Sequence, residues 1–283
     1  MIYYHYGNLK DATITAGDIT EKAQYPITNI NYLNKNLYTH IDDSGSETIP
    51  GDGAVTIDLM KVDFGSATNV SSCVLELDAF RIQMSITSGA ISEMDTYLYY
   101  SDDAITYTTT GAFNPIAIAS ASYDGTQTEI ITNTITEISH RYWKIALAIT
   151  GTNSVLTWCI DGKINNIYIG DYISLPSPEL VPFGFNHKAK FSQAYGGSIF
   201  GVETQGQREK WGFNFTNMTE ADKTNWKAFD LVNKKGVVPC YMESVEGTTQ
   251  LIDPYFVRVY GGENLKQSAF ELYEMTNNVE EEL

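Results

Sequence analysis

The sequence has 283 residues, of which 43% are hydrophobic and 12% aromatic. A chain this apolar can bury a core, so a wholly disordered protein is excluded. Its 18 basic and 35 acidic side chains give a net charge of −17. Proteins that bind nucleic acid need Lys and Arg to neutralise phosphates, so the composition argues against a direct, sequence-specific nucleic-acid partner. We also expect no membrane insertion, because no run approaches 18 apolar residues.

From residue 1 to about 185 the composition is typical of β structure, with Thr, Ile, Val and Tyr dominant and Gly, Asn, Asp and Ser between the apolar runs. Turn residues such as Asp161-Gly162 bound the runs. The predicted strands cover residues 54–59, 73–77, 96–100, 142–147 and 166–169. Many short strands at this spacing predict an antiparallel β-sandwich of the jelly-roll type.

A domain boundary is predicted between residues 175 and 190, because Pro176 and Pro178 cannot continue a central strand. We therefore predict a sandwich over 1–180 and a second domain over 181–283. That second domain is expected to be β-sandwich-like with one α-helix, so the fold class is mainly β.

The predicted helix covers residues 219–235. Thr219 and Asp222 have the spacing of a capping box, and Gly236 stands where a left-handed residue would end the helix. Trp226, Phe229 and Val232 recur every three residues and predict a narrow apolar stripe.

No catalytic pattern is evident in the sequence. The four histidines, at positions 5, 40, 140 and 187, form no HExxH or HxH pair that would hold a metal. Two carboxylate pairs, Asp42-Asp43 and Asp102-Asp103, lie in turn contexts. They leave open a glycosidase or a calcium site, although the spacing matches no EF-hand loop. We expect a protein that is not an enzyme and has no cofactor.

Several segments in order resemble the discoidin-like, or galactose-binding-like, β-sandwich. Residues 24–30 (QYPITNI) look like the opening strand of that family and the Asn that starts its first loop. Residues 55–67 and 141–145 resemble two of its later strands. Residues 100–108 (YSDDAITYT) are similar to its hairpin, with Ala104 in place of the usual Gly and Tyr107 in place of the usual Trp.

This resemblance implies ligand binding through loops at one end of the sandwich, with sugars or lipid head groups as ligands. Leu37-Tyr38-Thr39 occupies the stretch where the family usually carries a loop Trp. The candidate ligand-binding residues are Tyr38, Asp102 and Asp103. Such a sandwich also serves in many proteins as a protein-docking module.

The last hundred residues resemble a second family, the tail proteins of tailed phages. A strand over 210–215, a capped helix, a strand over 237–242 and further strands after Tyr255 follow the order of tail-tube and distal tail proteins. Residues 169–176 (IGDYISLP) resemble the hinge that leads out of a discoidin-like domain in phage minor tail proteins.

The second resemblance implies a structural component of a phage tail tip or baseplate. Its partners would be further copies in a homo-oligomeric ring and other tail proteins, and it would reside in the virion tail after synthesis in the host cytoplasm. The candidate assembly residues are Trp211, Trp226, Phe229 and Tyr255. The alternative function is a carbohydrate-binding module that adheres to host-surface glycans.

Overall fold

A computed structural model describes the chain from residue 1 to residue 281, with gaps. The residues outside the described part are 8, 10, 33–36, 50–52, 87–90, 111–121, 125–127, 152–153, 194–198, 235–237, 247–248, 262–264, 270 and 282–283.

The described residues form strands joined by short connections, together with one 3-10 helix, Ile27–Tyr32, and one α-helix. The first strands are β1 (Ile2–Tyr6), β2 (Thr13–Ala16), β3 (Thr39–Ile49), β4 (Gly53–Ile86), β5 (Ile91–Ser101), β6 (Thr108–Thr109), β7 (Ser122–Asp124), β8 (Thr128–Gly151) and β9 (Ser154–Leu175). After them come β10 (Glu179–Gln193), β11 (Ile199–Met218), α1 (Glu220–Asn233), β12 (Cys240–Glu246), β13 (Thr249–Gly261), β14 (Lys266–Ala269) and β15 (Leu272–Glu281).

The chain divides into two compact units. The middle unit is Gly7–Asp171, and the terminal unit combines Met1–Tyr6 with Tyr172–Leu283. The sequence predicted a division at 180, with the first residues in the N-terminal domain. The structure groups β1 with the C-terminal strands instead, because β1 pairs antiparallel with β12 from Ile2 opposite Ser244 to His5 opposite Tyr241.

The middle unit is an antiparallel β-sandwich in which two long strands, β4 and β8, run through both layers. Residues 53–63 of β4 pair with β8, and β2 and β5 extend that layer on either side. Residues 72–86 of β4 pair with β9, which in turn pairs with β3. Between the layers lies a core of Ile, Leu and Val with Trp143. The alternation of buried and exposed positions along each strand produces this core.

The terminal unit is an antiparallel sheet covered by one helix. The strand order is β10-β11-β15-β13-β12-β1, and β14 pairs with the start of β15. The Phe229 ring of α1 lies 5.3 Å from the Tyr4 ring and 5.4 Å from the Tyr6 ring of β1. The mainly β fold class, a sandwich plus a β domain with one helix, is confirmed for the described part of the chain.

The predicted start of the helix is correct in detail. The Thr219 hydroxyl accepts a hydrogen bond from the Asp222 amide, and the Thr219 amide donates to the Asp222 carboxylate at 2.8 Å. The two bonds satisfy amide groups that the first turn leaves without helical partners.

The predicted apolar stripe is wrong at its last position. Val232 is 41% exposed, whereas Asn233 is buried with Trp226 and Phe229. A helix has 3.6 residues per turn, so the seventh residue after Trp226 returns to the same face and the sixth does not. The left-handed residue is Lys234, with φ of 49°, and Gly236 lies outside the described residues.

Two other local predictions are corrected. The predicted turn at Asp161-Gly162 lies inside β9. Gly162 has φ of 153°, and a Cβ on it would lie 2.4 Å from the Phe80 Cα, so the glycine permits close strand contact. The resemblance placed an opening strand over 24–30, where the structure has a turn followed by the 3-10 helix. Pro26 precedes that helix and cannot donate to a strand ladder.

Candidate functional site

The strongest candidate site surrounds Tyr38 on one face of the middle unit. Three adjacent strands supply a row of polar side chains there, because His40 of β3 lies opposite Lys163 of β9, and Lys163 lies opposite Asp78 of β4. Residues directly opposite on neighbouring strands project to the same face of a sheet. We call the whole group the Tyr38 cluster: Tyr25, Tyr38, His40, Asp78, Asp161 and Lys163.

Two tyrosine rings form the centre of the Tyr38 cluster. The rings of Tyr25 and Tyr38 are stacked, with centroids 4.7 Å apart and planes 16° from parallel. The Lys163 ammonium lies 5.0 Å from the Tyr38 centroid, within range of a cation–π contact. A hydrogen bond with Tyr25, which acts more strongly than desolvation, raises the pKa of Tyr38.

Two pairs of polar side chains lie beside the rings. The Lys163 Nζ donates to Asp78 Oδ2 at 3.0 Å, and this bond raises the pKa of Lys163. The His40 Nε2 and Asp161 Oδ1 lie 3.0 Å apart. The carboxylates are partly open to solvent, with side-chain exposures of 29% for Asp78 and 49% for Asp161. A ligand at this surface can therefore reach hydrogen-bond acceptors on Asp78 and Asp161 and donors on Lys163.

Backbone contacts hold the Tyr38 cluster in place. The Asn29 side-chain amide donates to the Tyr38 carbonyl at 3.0 Å, and the Thr39 hydroxyl donates to the Pro26 carbonyl at 3.0 Å. The His40 amide donates to the Tyr25 carbonyl at 3.3 Å. The segment that carries Tyr25 is thus tied to the start of β3, which fixes the distance between the two rings before any ligand binds.

Asp102, a predicted ligand-binding residue, belongs to a different group of side chains. Its Oδ1 lies 2.9 Å from the His140 Nδ1, and the His140 ring stacks on Tyr100 with centroids 4.1 Å apart. These residues lie on β5, the turn after it and β8, whereas Tyr38 lies beside β3 and β9. The structure therefore places Tyr38 and Asp102 in separate clusters.

Asp103, the third predicted ligand-binding residue, bonds within its own turn. Its Oδ1 accepts hydrogen bonds from the amides of Ile105 and Thr106, at 2.8 and 2.7 Å, and from the Ser101 hydroxyl at 2.8 Å. The backbone bonds, with that of Thr106 foremost, lower the pKa of Asp103 to about 2. Ala104 within this turn has φ of 60°, the region that glycine favours.

The predicted assembly residues all lie in the terminal unit. Trp211, Trp226 and Phe229 are at most 7% exposed in its core. Tyr255 is half-buried and packs edge-on against Trp211, with centroids 4.9 Å apart. These side chains pack within the chain itself, and a role in assembly stays a prediction.

Sequence reasoning found Tyr38 but missed its neighbours Tyr25, His40, Asp78 and Lys163. The period-two spacing of Tyr38, His40 and Asp42, and of Asp161 and Lys163, indicates side chains on one strand face. The pairing of those strands is not readable from that spacing. Among the described residues, no group of three or more His, Cys, Asp and Glu side chains is placed to hold a metal ion. In the same residues, no helix has the length and apolarity to cross a bilayer.

Among known proteins, only solved structures show similarity to this chain. No family model matches the chain, and no curated protein matches it. The chain is similar to CBM32-1 of a family 31 glycoside hydrolase from Clostridium perfringens, with 14% identity and a TM-score of 0.34 over 59% of this chain and 99% of that one.

Two other similar structures are also binding modules by name. CpGH89CBM32-5 from Clostridium perfringens, solved in complex with GalNAc-β-1,3-galactose, is 11% identical with a TM-score of 0.33, over 58% of this chain and 97% of that one. Chitosan-binding module 1 of a chitosanase/glucanase from Paenibacillus sp. IK-5 is 14% identical with a TM-score of 0.32, over 59% and 100%.

Proposed function

We propose that the middle unit binds a neutral glycan at the Tyr38 cluster and does so without catalysis. The observation that carries the proposal is the stacked pair of Tyr25 and Tyr38 with the Lys163–Asp78 and His40–Asp161 pairs beside it. This combination of aromatic surface with a few fixed polar groups is typical of sites that bind small polar ligands.

The chemistry of a sugar matches these groups. A pyranose ring has a C–H face that packs on aromatic carbon, and its hydroxyls both donate and accept hydrogen bonds. Asp78 and Asp161 supply acceptors, whereas the Lys163 ammonium supplies donors. The hydrogen bonds that the Asn29 and Thr39 side chains donate to backbone carbonyls order the site in advance, which reduces the entropy lost when a ligand binds.

The charge around the cluster favours neutral sugars over acidic ones. On this face the Lys22 ammonium is paired with Asp42 and the Lys163 ammonium with Asp78, so both are already neutralised. The chain as a whole carries a charge of −17. A sialic or uronic acid would meet repulsion from this field, whereas an uncharged hexose or N-acetylhexosamine would not.

The test is a glycan array followed by titration calorimetry with the full chain. The array would hold neutral and acidic glycans, including GalNAc-β-1,3-galactose. We expect Tyr38→Ala to weaken binding of the best neutral glycan by about tenfold or more, since stacking and ordered contact are lost. Tyr38→Phe keeps the ring and should retain most of the affinity.

Tyr260→Ala serves as the matched control, because Tyr260 is an exposed tyrosine of the terminal unit, outside the cluster. It should bind glycan as the unchanged protein does. An array without neutral-glycan binding, or a Tyr38→Ala variant that binds as tightly as the unchanged protein, would remove the proposal.

A second candidate function, assembly within a phage tail tip or baseplate, has its own supporting observation. The strand order of the terminal unit ends at β10, which within the described residues pairs with β11 alone. An open strand edge can pair with a neighbouring copy and so build a ring. Light scattering and negative-stain microscopy across a concentration series test this. A closed ring would support it, and a strict monomer at every concentration would contradict self-assembly.

A further inference from the structure

The polar surface of the Tyr38 cluster continues along the same three strands. Beyond the row of His40, Lys163 and Asp78, each strand projects every second side chain to the same face. The pairing registers align these side chains in three further rows, which are Asp42–Asp161–Arg81, Ser44–Cys159–Gln83 and Ser46–Thr157–Ser85. We call the last two rows the Ser44 face, and all six of its side chains are exposed.

The Ser44 face is a fixed and extended surface. The intervening residues Ile82, Leu156 and Ile160 point the other way and are fully buried in the core. Across the strands, the Thr157 hydroxyl donates to the Ser85 carbonyl at 3.2 Å. The step from Lys163 to Thr157 along β9 spans about 20 Å, several times the width of one sugar ring. A bound chain of sugars could therefore contact the cluster and this face together.

The chemistry of the Ser44 face matches a neutral glycan. Five of its six side chains end in a hydroxyl or an amide, and none is a carboxylate, an amine or a guanidinium. Hydroxyls and amides both donate and accept hydrogen bonds, as the hydroxyls of a sugar do. A protein partner would need an apolar contact area, and a nucleic acid would need basic side chains. The face offers neither of these.

The row between the Tyr38 cluster and the Ser44 face does not interrupt this surface with bare acidic groups. The Asp42 carboxylate lies 3.0 Å from the Lys22 ammonium, and the Asp161 carboxylate lies 3.0 Å from the His40 ring. Because each carboxylate has a partner, an uncharged ligand can cross this row without meeting an isolated negative charge.

We propose that the ligand of the Tyr38 cluster is a linear, neutral oligosaccharide. One sugar ring packs at the cluster, and the following sugars run along β9 over the Ser44 face towards Thr157. This inference rests on the proposed glycan function and names the class of glycan, a chain of several sugars as opposed to a single terminal sugar.

The first test compares chain lengths by titration calorimetry with the full chain. The probes are N-acetylglucosamine with its β-1,4-linked trimer and hexamer, and galactose with its β-1,4-linked trimer and hexamer. In the series that binds, we expect the hexamer to bind at least tenfold more tightly than the monosaccharide. Gln83→Ala should weaken the hexamer about fivefold, as loss of a hydrogen bond predicts, and leave the monosaccharide unchanged. Gln267→Ala removes the same amide from an exposed strand of the terminal unit and should change neither.

The second test uses Cys159 as a reporter in the centre of the Ser44 face. Cys159 is exposed, whereas Cys73 and Cys240 are buried, so dithiobisnitrobenzoate reacts with Cys159 in the folded protein. We expect saturating hexamer to slow this reaction at least tenfold and saturating monosaccharide to slow it less than twofold. An exposed thiol reacts without unfolding, so slower reaction reports coverage of the face itself.

The outcomes separate this inference from the glycan proposal. Equal affinities for monosaccharide and hexamer would overturn the inference and leave the glycan proposal intact, since the cluster would then bind a single ring. An unchanged Cys159 rate with the hexamer bound would place the chain elsewhere and would also overturn it. If neither series binds, the inference fails, and the glycan array alone decides whether the cluster binds another neutral glycan.

Discussion

At the scale of single residues, Asp103 shows how a carboxylate can be exposed to solvent and still have a structural role. Its Oδ1 accepts hydrogen bonds from two backbone amides and a hydroxyl, and these three bonds fix the turn between β5 and β6. The resemblance to discoidin-like hairpins marked this residue as a ligand contact. The Oδ1 of Asp103 already accepts three hydrogen bonds within the turn, so this oxygen has a structural partner set of its own.

The pKa of Asp103 predicts how its contribution to stability depends on pH. Folding lowers this pKa from 3.8 to about 2, so the stabilisation is complete above the ordinary value and is lost as the pH falls through the folded one. Asp103→Ala should therefore unfold at a lower urea concentration than the unchanged protein at neutral pH. The difference between the two proteins in the urea concentration of half-unfolding should become smaller as the pH falls from 3.8 to 2.

Urea titrations monitored by tryptophan fluorescence at several pH values measure this dependence. Asp11→Ala removes another exposed carboxylate and serves as the control. A gap of constant size down to the lowest pH at which the protein folds would show that the charge of Asp103 contributes nothing to the turn.

At the scale of elements, α1 illustrates which features of a helix follow from sequence. The capping box was predictable because it is local, with donor and acceptor three residues apart. The buried face was only partly predictable. Asn233 is buried because its side-chain amide donates to the Val259 carbonyl at 3.1 Å, and that strand is not adjacent in sequence. Judged by apolarity alone, Val232 rather than Asn233 was the expected buried residue.

The buried face of α1 gives a quantitative prediction. Trp226→Ala should destabilise the terminal unit by about 3–5 kcal/mol, because a ring that is 2% exposed leaves a cavity among Tyr4 and Phe229. Val232→Ala, on the exposed side, should cost less than about 0.5 kcal/mol. Chemical denaturation of both variants measures the difference, and similar values for the two would place Trp226 outside the core.

The positions of the strands could be predicted from the sequence, but their pairing could not. All five predicted runs lie within observed strands, because alternation of apolar and polar residues is a local signal. Which strands pair is decided by contacts that are distant in sequence, and β1 fits several partners equally well by its pattern. The Tyr38 cluster depends on such pairing, which is why one of its tyrosines was predicted and the rest were not.

At the scale of the whole molecule, the terminal unit combines β1 with strands β10 to β15, which follow the entire middle unit in sequence. This predicts that a change in β1 acts on residues more than two hundred positions away. Tyr4 is fully buried there and accepts a hydrogen bond from the Asn277 amide at 3.2 Å. Tyr4→Ala should destabilise the terminal unit by about 3–5 kcal/mol, as loss of a buried aromatic ring does elsewhere.

Hydrogen exchange followed by mass spectrometry tests this assignment. In Tyr4→Ala, amides of α1 and β12 should exchange faster, and those of β8 should keep their protection. Leu98→Ala, in the core of the middle unit, is the mirror control and should deprotect β8 without affecting α1. If the amides of α1 and of β8 exchange faster to the same extent in each variant, the two units unfold together.

The pairing of β1 with β12 has a consequence for the order of events during synthesis. Residues 2–5 leave the ribosome before the middle unit, but their partners at 241–244 emerge only after the whole of it. The middle unit has all of its strands by residue 171 and can fold while translation continues. Until β12 emerges, β1, with its buried Ile2 and Tyr4, lacks one of its two neighbouring strands, and that edge is available to chaperones or to the wrong strand. A pause in translation between residues 171 and 240 would therefore prolong the aggregation-prone stage.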